Sequence, residues 1–137
     1  MDKSPFEIYE TPDGSARFYF SHSDEKFTTG ILVLQPGAAL PKHNRPHAIE
    51  NDVQIGGKCL MTIFGENENN QEVELSAAEG VGIPKGQWHI HGNPYNEVSV
   101  TLFKLEGDIL EVMRILREMN KKVESNLEKN THFPTTP

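Results

Sequence analysis

Cysteine is almost missing from this chain. Cys59 is the single one among 137 residues, so no intramolecular disulfide can form and a reducing compartment is the natural setting. Long apolar runs are missing as well. No segment approaches the roughly 18–20 residues needed to cross a bilayer, so no membrane partner is expected. Positive charge is scarce: 13 Lys and Arg stand against 20 Asp and Glu, for a net charge of −7. The basic residues are scattered and form no stripe, which argues against a general nucleic-acid footprint. Met1 is followed by a charged, proline-containing segment without an apolar core, so no secretory signal is expected and a cytoplasmic location is the simplest expectation. The length suits one domain with a real core, and no linker or repeat divides residues 1–137.

What is present is a series of short β-prone runs. They cover residues 6–11, 16–21, 27–35, 58–64, 71–75, 79–83, 87–91 and 97–105. Turn formers separate them: Pro12-Asp13-Gly14, a polar loop over 21–26, Pro36-Gly37, a polar hairpin loop over 65–70, and Pro84-Lys85-Gly86. Residues 42–53 read as irregular at Pro46 and then extended. The period changes after residue 108. Ile109, Val112, Met113, Leu116, Met119, Val123 and Leu127 recur at helical spacing. Asp108 with Glu111 reads as a capping box, so a helix is expected over about 108–129 and a loose tail over 131–137. The fold class expected is all-β, a sandwich or barrel with a C-terminal α-helix.

Four of the six histidines fall in two short segments, His43 and His47 in one, His89 and His91 in the other. Strand alternation gives one face to residues i and i+2. If 43–47 is extended, His43, Arg45 and His47 share a face. Glu50, Asp52 and Gln54 share another, as do His89 and His91. In a small barrel one of the two faces points inward. A buried set of His, Glu, Asp, Gln and Arg is costly unless it is paired or bound to something, and that cost marks a working pocket.

The spacing of these residues is specific. Gly37, His43, Glu50 and Gly57 form one motif; Pro84, Gly86, His89 and Asn93 form a second. Both resemble the two motifs of the cupin family, over roughly residues 30–105. The resemblance implies a jelly-roll β-barrel with a core of about 27–105. It also implies a divalent metal, Fe, Mn, Ni or Zn, held by His43, Glu50 and His89. Two imidazoles and a carboxylate suit such an ion and leave positions open for substrate. The sequence departs from the family at two places. Ala78 stands where the second motif has glycine, and Arg45 stands where the first has its second histidine.

Arg45 cannot ligate a metal, and two readings of the pocket follow. In one, the metal sits on His43, Glu50 and His89, with help from His47, His91 or Gln54. Arg45 then clamps an anionic substrate with Asp52 and Gln54 beside it, and His47 or His91 moves protons. The protein is then a dioxygenase, lyase or isomerase for a small anionic metabolite. In the other, no metal binds, and the barrel is a ligand-binding module in which Arg45 pairs with an acid or holds an anion. The family resemblance also suggests a homodimer.

Overall fold

The computed structural model describes residues 6–124. Its first hairpin follows from turn chemistry. β1 (Glu7–Glu10) and β2 (Ala16–Ser23) flank Pro12-Asp13-Gly14. Asp13 Oδ1 accepts from Thr11 Oγ1 at 2.9 Å and from the Ser15 N–H at 3.0 Å. Gly14 takes φ +75°, which glycine adopts without steric cost. β2 then runs further than expected. Ser21 to Ser23 belong to the strand, because a bulge between Phe20 and His22 restores pairing with β3. The loop expected over 21–26 therefore contracts. Asp24 Oδ1 closes it, accepting from the backbone N–H groups of Lys26 at 2.7 Å and Phe27 at 3.0 Å.

Seven strands follow before the helix: β3 (Phe27–Leu34), β4 (Ala48–Gly56), β5 (Cys59–Ile63), β6 (Gln71–Leu75), β7 (Gly80–Ile83), β8 (His89–Gly92) and β9 (Ser99–Gly107). A short 3-10 turn at Glu66–Glu68 sits in the β5–β6 hairpin. After β9 come α1 (Leu110–Met119) and β10 (Lys121–Val123). Every pairing among the described residues is antiparallel. The larger sheet has the order β10-β1-β2-β3-β9-β4-β7 and the smaller one β6-β5-β8.

The helix expected over 108–129 is much shorter in the structure. It ends at Met119 because Asn120 turns extended, with φ −119° and ψ 158°. The Asn120 backbone N–H and side-chain Nδ2 both donate to Leu116 O, the latter at 2.8 Å. Val123, expected on the apolar stripe of the helix, instead pairs with Ile8 across β10 and β1. β-branched Val suits a strand better than a helix. Leu127 and the tail at 131–137 lie outside the described residues. The capping box does not form either. Asp108 Oδ1 accepts from the Leu110 N–H at 3.0 Å, while Glu111 pairs with Arg114. No described helix is long and apolar enough to cross a membrane.

β3 alternates regularly, with Thr28, Gly30, Leu32 and Leu34 buried. β4 alternates just as strictly but is inside out. Glu50, Asp52 and Gln54 face the interior at 8%, 1% and 0% exposure, while Ile49, Val53 and Ile55 face outward at 41%, 42% and 50%. Interior apolar residues cluster beside this polar stripe. Tyr9, Phe20, Leu105, Ile109 and Met113 pack together, so α1 contributes directly to the core. Burying the Met113 side chain on folding is worth about 2 kcal/mol, enough to fix the helix against the sheet.

Candidate metal centre and ligand cavity

Two elements bring the histidines together. β8 carries His89 and His91 inward, and the strand-like segment before β4 lies along β8. His43 and His89 form an isolated antiparallel bridge. Their rings stand 4.3 Å apart, centroid to centroid, at 62°. The inner faces of the two sheets meet at this level, since His89 Nε2 lies 3.8 Å from Glu50 Oε1.

Each imidazole is oriented by a backbone carbonyl. His43 Nδ1 is 2.7 Å from Pro41 O, and His89 Nδ1 is 2.8 Å from Gln87 O. A carbonyl only accepts, so both Nδ1 atoms carry the proton. In the neutral rings both Nε2 atoms are then left with a lone pair. Burial and the nearby Arg45 charge push the His43 pKa down to about 4, which keeps that ring neutral. His89 Nε2 is buried and has no hydrogen-bond partner among the described residues. One donor atom from each of His43, Glu50 and His89 lies within 4.8 Å of the others. Two nitrogens and a carboxylate oxygen, with the opposite ring N–H groups tied to carbonyls, match a divalent transition metal.

Below this set lies a second. Glu50, Asp52 and His91 also offer donor atoms within 4.8 Å of one another. Neither oxygen of Asp52 has a donor among the described residues. Burial, together with the adjacent Glu50 carboxylate, raises the Asp52 pKa well above the ordinary range. Burial pushes Glu50 up too, but the neighbouring Asp52 and the three imidazoles outweigh it, and its net shift is downward. Of the two carboxyls, Asp52 is therefore the one that favours its protonated form.

His91 is pinned by a chain of hydrogen bonds that starts at a main-chain carbonyl. Gln54 Nε2 donates to Gly56 O at 2.7 Å and to Ser99 Oγ at 3.0 Å, which leaves Gln54 Oε1 as the acceptor. Thr101 Oγ1 donates to that oxygen at 2.7 Å. Thr101 Oγ1 is therefore left to accept from His91 Nε2 at 3.2 Å, so the proton of His91 is on Nε2. Burial pushes the His91 pKa down to about 4. The ring is neutral, with the lone pair on Nδ1.

Arg45 completes the polar end. Burial lowers its pKa, with the Glu50 charge opposing, yet a guanidinium stays cationic. Its only hydrogen bond among the described residues runs from Nη1 to the Asn44 carbonyl at 3.2 Å, and Nε is buried without an acceptor. No ion pair joins it to Glu50 or Asp52. A cavity with about 50 Å³ of room for the centre of a water-sized probe is lined by the polar side chains of Arg45, His43, Glu50, Asp52 and His91. Apolar side chains from β2, β9 and α1 line the rest.

Two residues expected in the site are not in it. His47 is exposed on the turn that Pro46 forces, and it lines a separate surface depression with Lys85, Asp108 and Leu110. Proline fixes φ and ends the extension assumed for 43–47. Gln54 is fully buried, and both ends of its amide are engaged, so it supports His91 and does not face the cavity. Sequence reasoning missed Thr101 and Ser99, although their polar alternation at the start of β9 was visible. It also missed the apolar wall, because α1 supplies part of it from far along the chain.

No family model matches the chain, and no curated protein matches it. Solved structures do. Bacillus subtilis oxalate decarboxylase, studied for its Mn(II) centres, superposes with a TM-score of 0.62 at 22% identity, over 69% of this chain and 26% of that one. A recombinant oxalate oxidase in complex with glycolate gives 0.62 at 17%, over 78% and 56%. The cupin domain of Schizosaccharomyces pombe Cnp3 gives 0.60 at 20%, over 72% and 66%. The chain thus spans about a quarter of the decarboxylase and less than two thirds of the other two. Antiparallel strands, the helix that follows β9 and these superpositions converge on one architecture: this chain has the cupin jelly-roll fold.

Proposed function

We propose that the protein is a divalent-metal-dependent enzyme acting on a small anionic metabolite. The observation that carries this reading is the matched pair of imidazoles. His43 and His89 both hold their Nδ1–H against a backbone carbonyl, and each offers a donor atom within 4.8 Å of one from Glu50. That arrangement leaves the buried His89 Nε2 without a partner, which is costly unless a cation fills the place. His43, Glu50 and His89 are the proposed ligands. A divalent ion bound there supplies Lewis-acid polarisation of a substrate oxygen or a seat for O₂, chemistry that suits a lyase, isomerase or dioxygenase.

The chain's own residues supply the rest. Arg45, cationic and without a carboxylate partner, orients the anion through its free N–H groups. His91 Nδ1 is an unprotonated acceptor held in place by Thr101 and Gln54, suited to take a proton. Asp52, the carboxyl that burial and Glu50 hold toward its protonated form, lines the cavity and can give a proton toward it. His47 has no part in this scheme. A metal-free reading, in which Arg45 alone holds an anion, draws support from the unpaired Arg45 Nε.

Elemental analysis by plasma mass spectrometry decides between them. About one equivalent of Mn, Fe, Ni or Zn per chain is expected in the purified protein, and Glu50→Gln should lower it at least about tenfold. Metal-free protein that also refuses all four ions on dialysis would overturn the metal reading.

A further inference from the structure

The cavity is lined by both polar and apolar side chains, and the apolar ones have no role in the scheme above. Phe18 on β2, Phe103 on β9, and Val112 and Leu116 on α1 pack against the core cluster yet are only partly buried, and all four line the cavity. Met113 and Leu32 continue the wall. Inside a protein such side chains normally lose their water to neighbouring side chains. Here they line the same cavity as Arg45, whose buried Nε has no acceptor among the described residues. A ligand made only of carboxylates, or any small polar anion, would leave this wall wet.

We propose that the ligand is a carboxylic acid with an apolar body of aromatic size, its carboxylate at Arg45 and its ring among Phe18, Phe103, Val112 and Leu116. This rests on the anion-binding part of the proposed function, and it names the substrate class for the same site. The carboxylate answers the lone guanidinium. The ring fits the edges of two phenyl groups and two aliphatic side chains. Apolar burial supplies most of the affinity, and the charged contact supplies orientation.

Calorimetric titration of the full-length protein with phenylacetate, acetate and benzyl alcohol tests this. Phenylacetate and acetate share a charge and differ by the ring, whose burial should make phenylacetate bind at least about tenfold tighter. Benzyl alcohol keeps the ring without the charge and should bind more weakly than phenylacetate. Leu116→Asn should bring the phenylacetate-to-acetate ratio down toward one. Equal affinity for acetate and phenylacetate in the parent protein would overturn the proposal, whatever the variant does. Benzyl alcohol binding as tightly as phenylacetate would overturn the role of the carboxylate. Metal content measured on the same samples separates this inference from the metal reading. Ring preference in metal-free protein supports the inference and sinks the metal centre. A loaded metal centre with no ring preference does the reverse.

Discussion

His43 and His89 are bonded to each other twice through their backbones: His43 N–H donates to His89 O at 3.0 Å, and His89 N–H donates to His43 O at 2.9 Å. The two candidate ligands therefore cannot shift independently along their strands. Moving one by a residue would turn the other's side chain away from the interior.

That coupling makes the proposed metal site brittle. His43→Ala and His89→Ala should each abolish metal binding, with no partial occupancy in either. Elemental analysis reads the loss. Circular dichroism should show the β-sheet signal retained, since the bridge uses backbone groups that alanine keeps.

Gln54 should matter for stability more than its distance from solvent chemistry suggests. Gln54→Leu keeps the approximate volume but strands Ser99 Oγ and Thr101 Oγ1 in the interior. We expect a loss of about 1–3 kcal/mol in urea unfolding. A conservative Gln54→Glu is expected to fare no better, because a buried carboxylate cannot donate to Gly56 O as the amide does.

Two glycines with positive φ should respond very differently to alanine. Gly107 ends β9 at φ +142°, and a Cβ there would run into the carbonyl of His47 and the backbone of Ala48. Gly86 takes φ +76° with nothing within 4 Å of such a Cβ. Gly86→Ala should cost about 1 kcal/mol, the price of the left-handed conformation alone. Gly107→Ala should cost clearly more and lower the melting temperature further.

The acid limb of stability should involve the joint between β1 and α1. The Arg117 guanidinium, donating from Nε to Glu7 Oε1 at 2.6 Å, lowers the Glu7 pKa against the opposing effect of burial. A lowered carboxyl pKa stabilises the fold above the unfolded value, and that contribution disappears as pH falls through the folded one. Arg117→Met should flatten this part of the pH profile. Both groups are more than a third exposed, so solvent screening limits the effect to under about 1 kcal/mol.

The inside-out pattern of β4 predicts self-association. Val53 and Leu102 are direct partners across β4 and β9, and both face outward at 42% and 44% exposure. With Ile49 and Ile55 they make an apolar band on the outer sheet face. Sedimentation should find a dimer, and Val53→Lys should convert it to monomer. A monomeric parent protein would remove the homodimer from the reading.

Much of this was legible in the residues, for physical reasons. Strand boundaries followed Pro and Gly turns, whose chemistry is local. The inward face of β4 followed from strict alternation through Glu50, Asp52 and Gln54. What failed depended on distant parts of the chain. The helix stripe ran on through Val123 on paper, but Asn120 and pairing with β1 ended it. His47 shared a parity with His43, but Pro46 broke the extension between them. Gln54 was placed on the correct face, yet its neighbours on β9 consumed its amide, and only tertiary structure reveals that. The apolar chamber needed β2, β9 and α1 together, so no window of sequence contained it.

The supports of the three inner histidines differ in what can inherit change. His43 and His89 take their tautomers from the carbonyls of Pro41 and Gln87, atoms that every amino acid possesses. Substitution at those two positions alters the side chain and leaves the acceptor in place. His91 takes its tautomer from two side chains, Gln54 and Thr101, which a single codon change can remove. Mutational drift would therefore erode the state of His91 first, while the Nε2 pair beside Glu50 persisted. Paralogues of this protein could part company in proton handling and still share one way of presenting nitrogen to a cation.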